Sequence, residues 1–313
     1  MFEIVFLGTS ASAPSIHRGL SAQMVMHNEH RFLIDCGEGT QRQILQSGIG
    51  FKRLERVLIT HGHLDHILGL AGLVSTFTRW ETAERLEIWA GRWALQRIQA
   101  LLGEVVLKGA RLPFPLTFHE IKPGPIFADK TFSVTAFPVS HRGADSFGFL
   151  FEERSRRPFL VERAEALGVP AGPVRRELAT GQSITLADGR VVQPDDVLGP
   201  VERGVKFVHV GDCGDTRNLV QIAQGADALV IESTYLSEES EMAHDFGHLT
   251  AAQAAALARD AGVGQLLLTH ISRRHRERDV LAEAQRTFPK TFVARDFDHF
   301  RILRGETVKV VEA

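Results

Sequence analysis

With 313 residues, 44% of them hydrophobic and 24% charged, the chain has material for one large domain or two small ones and for a substantial buried core. A formal net charge of −2 excludes a uniformly basic surface of the kind that clings to nucleic acid, although it leaves room for a local patch. No apolar run reaches membrane-spanning length, the first residues show no secretory leader, and two cysteines, Cys36 and Cys213, exclude a disulfide framework, so a cytoplasmic protein is expected.

Taken in chain order, short apolar runs alternate with segments of helical period. Ile4–Leu7 reads as an edge strand and Arg31–Asp35 as a second strand. A helix over Gln41–Gln46 and a strand over Arg56–Thr60 follow. Next come a helix over Ile67–Phe77, a strand over Leu86–Ala90 and a helix over Arg92–Leu102. Strands are expected over Phe132–Phe137 and Phe147–Phe151, then Lys206–Val210, Ala228–Glu232 and Gln265–Thr269, with helices over Leu219–Ala223, Ala251–Asp260 and Asp279–Phe288. The helix from Ala251 carries the clearest signals, with Thr250 to cap it and Gly262 to end it. Phe300–Arg304 and Thr307–Val311, joined by Gly305-Glu306, read as a closing hairpin. Such a mixture implies sheet layers covered by helices.

The most informative stretch is His61-Gly62-His63-Leu64-Asp65-His66, directly after the apolar run Val57-Leu58-Ile59. Residues at i and i+2 share a face of extended chain, so His61 and His63 point the same way, while Asp65 and His66 turn back as a helix begins near Leu64. Imidazole nitrogens and carboxylate oxygens are the ligands of a borderline metal such as zinc. Four donors in one loop are too many for one tetrahedral ion and suit two ions completed from elsewhere in the chain. Three isolated donors stand just past expected strands: His141, Asp212 and His270. Taken singly they read as a loop residue, a turn residue and a helix cap; their shared position favours ligands.

From Arg154 to Gly204 the chain turns rich in Gly, Pro and Arg and loses regular periodicity. Between Arg154 and Arg176 lie six arginines against Glu162 and Glu165. Such an arm could grip a phosphate backbone or be a solvated insertion. A second basic run, Arg273-Arg274-His275-Arg276-Glu277-Arg278, follows His270.

Several blocks resemble ribonuclease Z, the tRNA 3′-processing endonuclease family of the metallo-β-lactamase superfamily. They are Phe6 to Ser15 with Arg18, Asp35-Cys36-Gly37-Glu38-Gly39-Thr40-Gln41, the His61–His66 motif with Gly69 to Leu73, Ser140-His141-Arg142, Gly247-His248-Leu249-Thr250 and Leu268 to Arg273. The resemblance implies a four-layer αβ/βα sandwich over residues 1–313, with 154–204 as an inserted tRNA-gripping arm. It also implies two ions, zinc or alternatively manganese: His61, His63 and His141 would hold one, Asp65, His66 and His270 the other, and Asp212 would bridge them. The implied reaction is removal of the 3′ trailer from precursor tRNA by a homodimer. Asp65 would act as base towards the attacking water, and His248, its ring oriented by Glu232, as general acid for the leaving ribose 3′ oxygen.

The sequence departs from the family pattern in four places. Leu and Gly are exchanged at Gly62 and Leu64. Gly-Asp-Thr appears as Gly211-Asp212-Cys213, with Gly214-Asp215-Thr216 three residues later; spacing to Asp227 and Glu232 favours Asp212, and Asp215 is the rival. Ile231-Glu232-Ser233-Thr234 and His248-Leu249-Thr250 keep the Glu and the His. Because two-metal sites also suit small phosphodiesters and lactones, a small-molecule hydrolase is the alternative within enzymes, and an RNA-binding or metal-storage module the alternative outside them.

Overall fold

The computed structural model describes residues 1–80, 83–143 and 145–310. The chain divides into two compact units, one of Met1–Glu152 with Val205–Ala313, the other of Glu153–Gly204.

The larger unit is built on two sheets. The first has eight strands, in spatial order Glu306–Val310, His299–Leu303, Phe2–Gly8, Ala22–His27, His30–Ile34, Leu54–Leu58, Leu86–Ala90 and Leu116–Glu120. The second has seven, in the order Thr291–Val293, Leu266–Thr269, Ala228–Glu232, Lys206–His209, Phe147–Glu153, Phe132–Pro138 and Gly124–Ala128. His30–Ile34 through Leu116–Glu120 pair in parallel, as do Lys206–His209 through Thr291–Val293.

Period-two alternation sorts the strand residues into layers. Phe32, Ile34 and Leu58 from the first sheet share one buried cluster with Phe149, Phe207, Val230 and Leu267 from the second. Their neighbours Leu33 and Val57 face instead the helix Gly69–Trp80, through Leu70, Leu73, Val74 and Phe77. On the other side Leu229, Ile231, Leu266 and Leu268 pack on Ala254, Ala255 and Ala258 of helix Ala251–Asp260 and on Val280 and Ala284 of helix Glu277–Gln285. Strands buried on both faces, between a second sheet and a helix layer, make the αβ/βα sandwich.

Several expectations are corrected. Phe2–Gly8 is an interior strand, because the chain's last hairpin covers its outer side. That hairpin pairs Leu303 with Glu306, so the turn is Arg304-Gly305, with Gly305 at φ 79°; Val311 lies outside the described residues. The helix expected over Ile67–Phe77 is two, Leu64–Ile67 and Gly69–Trp80. Gly69 sits where the chain presses on the Cys36-Gly37 loop: a Cβ there would lie 1.9 Å from the Gly37 carbonyl oxygen. Thr250 caps Ala251–Asp260 as expected, and its hydroxyl accepts from the Gln253 amide while the Gln253 side chain accepts from the Thr250 amide.

The smaller unit has regular structure where loop was expected. Helices Val161–Ala166, Pro173–Ala179 and Pro194–Val197 and the two-residue strands Ile184–Thr185 and Val191–Val192 surround a core of Ala164, Val169, Leu178, Ile184, Val192 and Val197. Arg163 and Arg176 are exposed on it, and Arg157 pairs with Asp195. Among the described residues no helix is long and apolar enough to cross a membrane.

Candidate metal centre

The donors stand at the carboxyl ends of strands, where an open parallel sheet leaves its crevice. Leu54–Leu58 runs into His61 and His63; His63, extended at φ −68° and ψ 152°, is the residue before helix Leu64–Ile67, so Asp65 and His66 fall in its first turn. Phe132–Pro138 leads to His141, Lys206–His209 to Asp212, and Leu266–Thr269 to His270. His248 sits between helices Ser240–Phe246 and Ala251–Asp260.

All eight sequence-predicted residues come together. Donor atoms of His61, His63, His141 and Asp212 converge within 4.8 Å of one another, as do those of Asp65, His66 and His270, and those of Asp212, His248 and His270. In the first set, His63 Nδ1 is 2.9 Å from His61 Nε2 and 3.4 Å from His141 Nε2, and Asp212 Oδ2 is 3.6 and 3.8 Å from those two Nε2 atoms. In the second, Asp212 Oδ1 is 3.5 Å from His66 Nε2 and 3.3 Å from His270 Nε2, while Asp65 Oδ2 is 3.6 and 3.7 Å from the same two. Metal–nitrogen bonds of about 2.0–2.1 Å in a tetrahedron separate neighbouring ligands by about 3.3–3.4 Å. Both sets bracket that spacing, and Asp212 gives one oxygen to each.

The far nitrogens of the rings are fixed by a ring of partners. His66 Nδ1 meets Asp35 Oδ2 at 2.7 Å, His61 Nδ1 meets Thr60 Oγ1 at 3.0 Å, His141 Nδ1 donates to the Gly247 carbonyl at 2.6 Å, and His270 Nδ1 meets Thr234 Oγ1 at 3.0 Å. Such contacts set the tautomer and leave each Nε2 lone pair aimed at the centre. Asp35 in turn accepts from the Thr60 amide and hydroxyl. The Ser12 amide donates to Asp65 Oδ2 at 3.1 Å.

Three buried atoms test the fit: His66 Nε2, His270 Nε2 and Asp212 Oδ1 have no hydrogen-bond partner. Orphaned buried polar atoms are costly, and here all three converge on one point among the second set of donors, as a cation requires. Electrostatics agree. Burial pushes the Asp212 carboxyl up, but the facing His270, His66 and His61 reverse this and hold it well below the ordinary carboxylate range. Burial likewise opposes ionisation of Asp65, and His66 and His270 override it. Burial lowers His61, helped by His66. The chemistry and convergence of these residues fit divalent metal binding.

His248 lies beside the centre: its Nδ1 is 2.8 Å from Glu232 Oε1. Burial alone would lower its ring, but the Glu232 carboxylate raises it to about 9. Glu232 is itself buried and accepts from the Cys213 and Leu249 amides and the Thr234 hydroxyl. Asp215, the rival of Asp212, is elsewhere; it pairs with Arg217 at the surface.

The exchange of Leu and Gly in the motif has a steric cause. A Cβ at Gly62 would lie 2.9 Å from Ala94 Cα and from Trp93 Cε3. The Trp93 ring stands edge-on to His63 at 6.0 Å, under the Arg97 guanidinium at 5.1 Å, and Arg97 donates to the Gly62 carbonyl at 2.7 Å. Leu64 is 48% exposed, where a smaller residue would forgo little packing. Asp35, Thr60, Thr234 and the Gly247 carbonyl were not singled out from sequence as partners of ligands; for Asp35 the signal was its place at the end of an apolar run.

Residues 2–158 match the family model described as anti-Pycsar protein Apyc1, and residues 164–271 match the beta-lactamase superfamily domain. A ribonuclease Z of Bradyrhizobium diazoefficiens is 48% identical over 299 residues, covering 96% of this chain and 99% of the relative. The chain belongs to the ribonuclease Z family. A ribonuclease Z of Listeria monocytogenes, 39% identical over 307 residues, covers 96% of this chain and 99% of its own. The crystal structure of human tRNase Z, short form, is similar to it at 26% identity and a TM-score of 0.68, covering 96% of this chain and 99% of that one. As a ribonuclease Z of metallo-β-lactamase type, the chain is a metal-dependent hydrolytic nuclease.

Proposed function

We propose that this chain is a zinc-dependent endoribonuclease that removes the 3′ trailer from precursor tRNA and leaves a 3′-hydroxyl on the tRNA. The observation that carries the reading is the pairing of two donor sets across Asp212 with His248 held beside them by Glu232. His61, His63 and His141 would hold one ion, Asp65, His66 and His270 the other, and Asp212 both. When bound, two dications lower the pKa of water towards neutrality and neutralise charge on the phosphoryl oxygens.

The chain's own residues do the rest. Asp65, fixed by the Ser12 amide, presents its carboxylate within the second donor set and orients the attacking water as base. Glu232 keeps the His248 proton on Nδ1 engaged, leaving Nε2–H to protonate the departing ribose 3′ oxygen. The relatives' printed names, ribonuclease Z and tRNase Z, support tRNA as the substrate. Residues 154–204 serve as the arm that grips tRNA, with exposed Arg163 and Arg176 meeting phosphates. The working form is a homodimer, as the family resemblance implies.

The test compares the intact protein with a version lacking residues 154–204. Loss of precursor tRNA cleavage with retained hydrolysis of a chromogenic phosphodiester supports the reading. Intact protein that hydrolyses the phosphodiester but neither binds nor cuts precursor tRNA favours a small-molecule hydrolase.

A further inference from the structure

On the His141–His248 side of the centre an exposed aromatic ring lies under an arginine. Phe246 ends helix Ser240–Phe246 and is 47% exposed. Arg142, the residue after His141, places its guanidinium carbon 5.2 Å from the centre of the Phe246 ring. The chain then turns at Gly247, φ 65°, where an added Cβ would come within 2.9 Å of Arg142 Cγ. A glycine there both permits the left-handed turn and lets the arginine stem lie against it. The Gly247 carbonyl accepts from His141, and the next residue is His248, whose ring centre is 5.0 Å from that of His141. The turn at 246–248, with Arg142 against it, thus brings together a half-exposed aromatic ring, a cation, the carbonyl that accepts from His141, and the candidate general acid.

We propose that Phe246 and Arg142 form a nucleoside clamp on the leaving-group side of the scissile phosphodiester. The base of the ribonucleotide whose 3′ oxygen departs stacks on Phe246, and the Arg142 guanidinium meets the phosphate on that nucleotide's 5′ side. The inference rests on the RNA-cleaving reading above and deepens it. Its logic is positional. A ribose whose 3′ oxygen is at His248 carries its base within a nucleotide's reach of a ring two residues away. Stacking on an aromatic side chain tolerates every base, because every base has a π face, so the clamp would order the nucleotide without reading its identity. Trp93 does not compete for this role, since its ring is wedged between Gly62 and Arg97.

The experiment pairs enzyme variants with substrate variants. Wild type, Phe246→Ala and Phe246→Trp are each given precursor tRNA that is intact or carries one abasic ribonucleotide immediately 5′ of the cleavage site. On intact substrate Phe246→Ala should lose about tenfold or more in kcat/KM, and Phe246→Trp should restore most of it. On the abasic substrate wild type should fall to the level of Phe246→Ala, and the substitution should add no further loss. Equal losses on both substrates would show a structural role for the ring and overturn the clamp, as would no loss on either. Wild-type protein that cuts no RNA at all would instead overturn the underlying reading, and the clamp with it.

Discussion

Glu232 Oε1 sits 2.8 Å from His248 Nδ1 while the same carboxylate takes amide hydrogens from Cys213 and Leu249. The carboxylate is anchored by backbone from two separate loops, so the ring it holds has little freedom. Glu232→Gln keeps the shape but weakens the hold on a protonated ring. We expect kcat to fall by roughly a hundredfold or more, the range of a lost general acid, with metal content unchanged. Single-turnover cleavage and metal analysis of the same preparation check this, and a full rate would remove His248 from the acid's role.

Asp212 gives one oxygen to each donor set, whereas Asp215 pairs with exposed Arg217. Asp212→Asn should therefore cost both ions together, and Asp215→Asn should keep the full complement. Elemental analysis after dialysis against buffered zinc distinguishes them. The reverse pattern would make Asp215 the shared ligand.

Gly62 faces Trp93 and Ala94 so closely that any side chain must displace them. Gly62→Leu, which restores a leucine at the second position of the motif, should destabilise the protein by about 1–3 kcal/mol, the usual cost of overpacking. Replacing Trp93 by Ala in the same chain should recover part of the loss. Calorimetric unfolding of both proteins measures it; an unchanged Tm for Gly62→Leu would contradict the steric account.

His209 is fully buried and donates from Nε2 to Gln23 Oε1 at 3.0 Å, with Nδ1 unpartnered. Burial, with a smaller contribution from His66, lowers it to about 3. The folded ring is neutral where the unfolded one, near its ordinary value of about 6.5, binds a proton, so stability is lost as pH falls below that value. The difference amounts to about 2–3 kcal/mol between pH 7.5 and pH 4.5. In metal-free protein, His209→Gln should flatten the acid side of the stability curve by that amount. An identical pH dependence in the two proteins would place the sensitive group elsewhere.

The candidate site was legible because its donor types announce themselves locally. His61, His63, Asp65 and His66 fall within six residues, and His141, Asp212 and His270 each end an apolar run. What holds them was not. Asp35 reaches His66 across 31 positions, and Thr234 reaches His270 across 36. The partner of His141 is a backbone carbonyl, which leaves no mark on residue identity. In the fold, strand Ala22–His27 escaped notice because Gln23 and His27 are buried in it, breaking the apolar pattern. Gly124–Ala128 carries Pro125, tolerated because the strand lies at a sheet edge. In 154–204 the richness in Gly, Pro and Arg hid the helices, yet Pro173 and Pro194 each open one, where a missing N–H costs nothing.

The most direct measurement is cleavage of an end-labelled precursor tRNA by the zinc-loaded protein, with Asp65→Ala alongside. The account predicts one product, ending in a 3′-hydroxyl near the foot of the acceptor stem's trailer and absent with the variant. No cleavage by fully metallated protein, or equal cleavage by the variant, would contradict it.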